Sequence, residues 1–237
     1  MTPLETALTR HSTRSYADAA PADVLAGVCR GCESLVPLRS ETLEGKRVGT
    51  YGVITGRPSY IAVCGPDMLR AGIEGETAVL KLTAMGYDTC WMSGTFNKSL
   101  AAEAAGRQVV AVIACGHGTG RRSIAQRLMS AAARSRTRLP LNGIIVAGTV
   151  PDYLENAVKA LRNAPSALNR QPWRLAFNRN GTIDVMSRGD TPAHLLDCGI
   201  AIGNFLYVSP GYAVEPCKAE HPGLTGVATL VNKRNGL

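Results

Sequence analysis

The segment Asn163-Ala-Pro-Ser-Ala-Leu-Asn-Arg-Gln-Pro-Trp173 decides how this chain is read. It ends a stretch, Pro151 to Asn163, whose apolar residues at 154, 157, 158 and 161 mark one face of a helix, with Pro151 suited to its first turn. Pro165 breaks that pattern, and Ser166, Asn169, Arg170 and Gln171 then crowd together before Pro172. Asn and Gln amides carry donors and acceptors together, so a loop of this kind can read hydroxyls or the edge of a heterocycle. The same residues describe equally well an ordered turn packed under Trp173.

On the C-terminal side, Trp173 to Phe177 and Gly181 to Met186 read as a hairpin turning at Asn178 to Gly181. An apolar helix, Ala193 to Val208, and a final strand, Gly226 to Val231, follow. On the N-terminal side, residues 2 to 10 suit a short helix, and the chain then runs through Ser15 and Tyr16 to a turn at Asp18 to Pro21. Pro21 to about Glu33 reads as a helix with Cys29 and Cys32 on its apolar side. Val48 to Ile54 is strand-like, and Ser59 to Cys64 reads as a buried strand. Ile73 to Met85 is an amphipathic helix stopped by Gly86, and Val109 to Cys115 is the strongest strand pattern in the chain. Six arginines between 121 and 138 surround the Ala-rich stretch Ser123 to Arg134, which reads as a solvated helix face, and Gly143 to Ala147 is a short apolar run. Helix, strand, helix, strand recurs in each half, which predicts an α+β fold.

The chain has 237 residues, of which 45% are apolar and 19% charged, enough to bury a large core and unlike a disordered sequence. Its 26 Lys and Arg against 18 Asp and Glu leave a net charge of +8, which suits an acidic ligand, nucleic acid or an anionic surface. Phe, Trp and Tyr make up only 5%, so stacking platforms for nucleic acid are scarce, and a nucleic-acid or membrane-surface role for the basic stretch ranks below a small-molecule one. The seven cysteines are scattered, several inside apolar runs, which fits a reduced cytoplasmic compartment better than a disulfide framework. Cys29-x-x-Cys32 has no second ligand pair, so no metal is expected. No signal peptide or membrane span is expected.

Four segments carry candidate chemistry. Arg10-His-Ser-Thr-Arg14 offers two guanidinium forks and a hydroxyl matched to phosphate oxygens, and His11 can add a donor; surface charges beside a helix end have the same composition. Gly86-Tyr-Asp-Thr-Cys-Trp-Met-Ser-Gly94 has small residues that admit a flat ring, or is a helix cap followed by a core tryptophan. Gly116-His-Gly-Thr-Gly-Arg-Arg122 reads as a flexible turn carrying two cations. The Asn163 to Trp173 loop is the fourth.

In this order, the segments resemble the flavin-dependent nitroreductase family, with Asp197-Cys-Gly-Ile-Ala-Ile202 as a further similar helix. The resemblance implies a central mixed or antiparallel sheet wrapped by helices and a bound FMN. It implies cofactor contacts from Arg10, His11, Ser12, Arg14, Cys90, Trp91, Met92, Ser93, Arg121, Arg122, Pro165, Ser166, Ala167, Asn169 and Gln171. It further implies that NADH or NADPH reduces the flavin, which passes electrons to a nitroaromatic, quinone or related acceptor with no protein acid or base taking part. A flavin-binding protein with little turnover is the alternative.

In ordinary members of that family the Pro-Ser loop follows the arginine segment within a few dozen residues, whereas here Arg14 and Pro165 are far apart and neither motif is duplicated. This implies a pseudo-dimer, a first half at 1–145 and a second at 146–237 sharing one FMN, acting as a monomer or still pairing as a homodimer.

Overall fold

The computed structural model describes all residues except 39–42, 44–47, 51–52, 121–136, 218–219 and 234–237. In chain order the elements are α1 (Pro3–Thr9), β1 (Ser15–Ala19), α2 (Ala22–Cys29), β2 (Leu35–Leu38), β3 (Thr55–Gly56), β4 (Ser59–Cys64), α3 (Met68–Ala84), β5 (Asp88–Met92), α4 (Lys98–Ala105) and β6 (Val109–Gly118). They continue with α5 (Leu141–Ile144), β7 (Ile145–Ala147), α6 (Glu155–Asn163), β8 (Trp173–Phe177), β9 (Ile183–Ser187), α7 (Pro192–Val208), β10 (Tyr212–Pro216) and β11 (Thr225–Asn232). This is the expected α+β class, with the strands in two sheets.

Two compact units divide the chain. Unit 1 comprises Met1–Leu8, Met68–Glu76 and Arg134–Leu237, and unit 2 comprises Thr9–Asp67 and Thr77–Ala133.

In unit 2 the strands run β2-β4-β6-β1-β3, with β5 also paired to β6. All pairings are antiparallel except β1 with β3. Val109 to Cys115 is apolar because β6 is covered: Ala111 to Cys115 have no exposed surface. Each Val or Ile buried in this way contributes about 1.5 to 3 kcal/mol relative to exposure. Tyr16, Tyr60, Cys90, Met92, Phe96 and Leu100 pack in the same core. Asn97 caps α4 by accepting from Leu100 N at 3.1 Å. Gly86, with φ 87°, closes α3 as Tyr87 N donates to Leu82 O and Gly86 N to Thr83 O, each at 3.0 Å.

In unit 1 the order is β10-β11-β9-β8-β7, antiparallel except β7 with β8. Each unit therefore carries a largely antiparallel sheet with a short parallel strand at one edge. Thr191 caps α7, and Pro192 occupies its first turn. The first half of α3 lies backbone to backbone on α7: a Cβ at Gly199 would stand 2.3 Å from Leu69 O, and one at Gly72 2.3 Å from Leu196 O. Asn204 Nδ2 donates to Glu76 Oε1 at 2.9 Å between the same two helices.

Several expectations are corrected. Asp18 and Ala19 belong to β1 instead of a turn, and Asp88 to Met92 form a strand where the sequence suggested a loop or cap. Gly116 to Gly118 continue β6, because Asp88 and Ala19 both pair with Gly116 and Gly118 N finds Asp88 Oδ2 at 2.9 Å. The stretch Val48 to Ile54 forms only an isolated bridge, Gly49 to Phe96, among its described residues. The helix predicted to reach Glu33 ends at Cys29, so Cys32 lies beyond it.

Candidate functional site

The arginine segment is laid along β5 of unit 2. Ser12 bridges Thr89, and Thr13 N donates to Thr89 O at 2.9 Å. Asp88 ties this segment to the sheet: its Oδ1 accepts from Thr13 Oγ1 at 3.0 Å while its Oδ2 accepts from Gly118 N at 2.9 Å. Tyr16, buried beneath, donates to Thr13 O at 2.6 Å. Arg10, Ser12 and Arg14 of this segment all act on the buried Cys90. Burial pushes that thiol up, and Arg14, Arg10 and a hydrogen bond from Ser12 pull it back.

The remaining candidates in this unit divide by strand alternation. Cys90 and Met92 turn into the core, Trp91 is half-buried and Ser93 is exposed. The side chains of Cys90 and Met92 are each only 2% exposed. His11 is exposed, with Nδ1 at 3.2 Å from Thr9 O and Nε2 at 3.2 Å from Thr13 Oγ1. Arg121 and Arg122, with the stretch Ser123 to Arg134, lie outside the described residues.

The Pro-Ser loop belongs to unit 1, between α6 and β8. Leu168, Asn169 and Gln171 all have left-handed backbones, with φ 52°, 56° and 48°. For non-glycine residues this costs about 1 to 3 kcal/mol each, which surrounding bonds must offset. Those bonds are present. The Asp197 carboxylate accepts from Ala167 N at 3.0 and 3.1 Å, and Ser166 Oγ accepts from Gln171 N at 3.0 Å. Gln171 is buried, its Oε1 accepting from Leu139 N at 2.8 Å and its Nε2 donating to Thr137 O at 3.2 Å. Asn169 donates to Thr137 O at 2.8 Å and accepts from Arg138 Nη1 at 3.1 Å. The amides chosen from the sequence as ligand readers are thus bonded to 137–139, and the loop presents Leu168, 70% exposed, and Arg170.

Asp197 is a buried carboxyl, 3% exposed. Burial raises it from 3.8 to about 7, against the Ala167 N–H and Arg170, which lower it. Burial also pushes the Cys29, Cys115 and Cys198 thiols up to about 12, which leaves them protonated and unreactive at neutral pH. No cluster of His, Cys, Asp or Glu among the described residues could hold a metal ion, and no described helix is long and apolar enough to cross a membrane.

Sequence reasoning missed the positioning roles of Asp88, Arg138 and Asp197. Asp88 was legible only as part of a small-residue loop, and Arg138 only as one charge of a basic run. Asp197 reads from the sequence only as part of a helix, with no cue that its carboxylate caps a loop 30 residues away.

No curated protein sequence matches the chain. Among solved structures, a Thermotoga maritima protein described as a "putative nitroreductase" aligns with 98% of this chain and 94% of its own, at 21% identity and a TM-score of 0.66. A nitroreductase family protein from Clostridium difficile covers 63% of this chain at 18% identity, all of its own length and a TM-score of 0.46. One from Streptococcus pneumoniae covers 60% at 15% identity, 97% of its own length and a TM-score of 0.44. The first likeness supports the nitroreductase fold, and a family sequence model described as "Putative TM nitroreductase" matches residues 4–209. That match spans most of the 237 residues, and the chain belongs to this nitroreductase family.

Proposed function

We propose that the protein is an FMN-dependent oxidoreductase of nitroreductase type, taking electrons from NADH or NADPH and delivering them to a nitroaromatic, quinone or related small acceptor. The observation that carries this reading is the arginine segment held on β5, where Arg10, Ser12 and Arg14 all act on the buried Cys90. Two guanidinium groups and a hydroxyl on a segment fixed by Asp88 match a phosphate monoester in charge and in donor geometry. They fit the phosphate end of FMN.

Each proposed contact then has a physical role. Arg10, Ser12 and Arg14, aided by His11, would neutralise the phosphate, with Arg121 or Arg122 as a further cation. Backbone groups of Cys90 and Met92, together with Trp91 and Ser93, would form a wall for the ring. Pro165, Ser166, Ala167 and Asn169 would supply the polar edge, and Gln171, its amide on Leu139 and Thr137, would hold that loop in shape. Bound flavin would supply the electron transfer, so that no side-chain acid or base is needed. The division into 1–145 and 146–237 as fused halves further proposes one FMN per chain.

The test is anaerobic addition of NADH or NADPH to flavin-loaded protein, followed by a quinone or nitroaromatic. Bleaching of the flavin absorbance and its recovery on adding acceptor is the expected result. A bound flavin that neither donor reduces would reassign the protein as a flavin-binding protein without turnover.

A further inference from the structure

A cavity of about 610 Å³ in unit 1 is lined by Val146, Arg174, Arg188, His221, Pro222, Gly223 and Leu224. It sits at the end of the sheet where β8 begins, β9 ends and the turn from His221 to Leu224 leads into β11. Arg174 is only 3% exposed. Its Nη1 donates to Gln171 O at 3.0 Å and to Trp173 O at 2.5 Å, while its Nε is buried with no hydrogen-bond partner. No carboxylate among the described residues is paired with Arg174 or with Arg188, and Arg188 acts on Arg174 as a like charge. Burial and Arg188 both disfavour the Arg174 cation.

A buried guanidinium facing a second guanidinium is costly unless an anion offsets both. Bracing two backbone carbonyls occupies only Nη1, and a neutral side chain could do that without bringing a charge into the sheet. Arg188 is exposed, and His221 on the same lining adds a third donor. Val146, Pro222 and Leu224 give the cavity an apolar wall.

We propose that this cavity is a binding site for a small organic anion, whose phosphate or carboxylate head is read by Arg174 and Arg188 and whose apolar body lies against Val146, Pro222 and Leu224. The site is lined by none of the residues Arg10 to Arg14 and does not depend on the flavin reading.

Isothermal titration of the full chain, pre-saturated with FMN, against phenyl phosphate and against benzoate tests it. Saturable binding of at least one probe, one per chain, is expected, and the probe that binds identifies the head group. Arg188→Gln, an exposed substitution, is expected to weaken binding fivefold or more, as is Arg174→Lys where that variant folds. Arg14→Ala is expected to leave the probe's affinity unchanged. Absence of saturable binding by either probe overturns the proposal. So does a change under fivefold in Arg188→Gln, or loss of binding in Arg14→Ala, which would place the probe at the other phosphate site.

Discussion

Replacing Asp197 by Asn should flatten the dependence of stability on pH. The Asp197 carboxyl is held up at about 7 by burial, against 3.8 when solvated, while it accepts the Ala167 N–H that fixes the strained loop. Between those two values the unfolded chain has lost this proton and the folded chain retains it. Stability from this group is therefore fully present below about pH 3.8 and is lost as pH rises to about 7, beyond which the loss is constant. The rise from 3.8 to about 7, at about 1.4 kcal/mol per pH unit, amounts to roughly 4 kcal/mol. Asn has no proton to lose, and its Oδ1 can still accept from Ala167 N. Urea unfolding of both proteins from pH 4.5 to 8 should show the variant gaining on wild type steadily, up to a few kcal/mol above pH 7. Parallel stability profiles for the two proteins would refute the reasoning, since they would mean that Asp197 carries its charge in the fold at no cost.

Three further outcomes are expected. Arg14→Ala should weaken FMN binding about 10- to 150-fold, the equivalent of a charge-assisted contact of about 1.5 to 3 kcal/mol, as read by fluorescence titration with far-UV circular dichroism unchanged. Asp88→Ala should also weaken FMN binding, although Asp88 is assigned no contact with it, because Thr13 loses its acceptor and the arginine segment loosens from β5; unchanged affinity would remove Asp88 from the account. Gly199→Ala should lower stability by about 1 to 3 kcal/mol, and the melting temperature by several degrees, because its Cβ would meet Leu69 O and force α3 away from α7.

Near-complete burial makes β4 legible in the sequence, and sparse burial hides β1 and β10. Ser59 to Cys64 was readable to the residue because five of its six positions are buried. β1 was not, since Tyr16 alone among its residues is buried, and β10 escaped for the same reason, with only Tyr212 inside. The glycines at 116 and 118 looked like punctuation, yet they allow close approach: a Cβ at 116 would strike Asp18 O and one at 118 would strike Asp88. At the site, composition singles out segments but not their bonding. Nothing local in Asn169 or Gln171 shows that 137–139 would take their amides, because that pairing spans more than 30 residues. Arg174 was hidden inside a strand pattern, where its burial beside Arg188 is visible only once β8 and β9 are paired.

The most direct measurement of the central claim is a titration of flavin-stripped protein with FMN, following the quenching of flavin fluorescence. Saturable binding with an end point at one FMN per chain is expected. An end point at two per chain would contradict the single surviving site, and a signal that never saturates would contradict the assignment to flavin altogether.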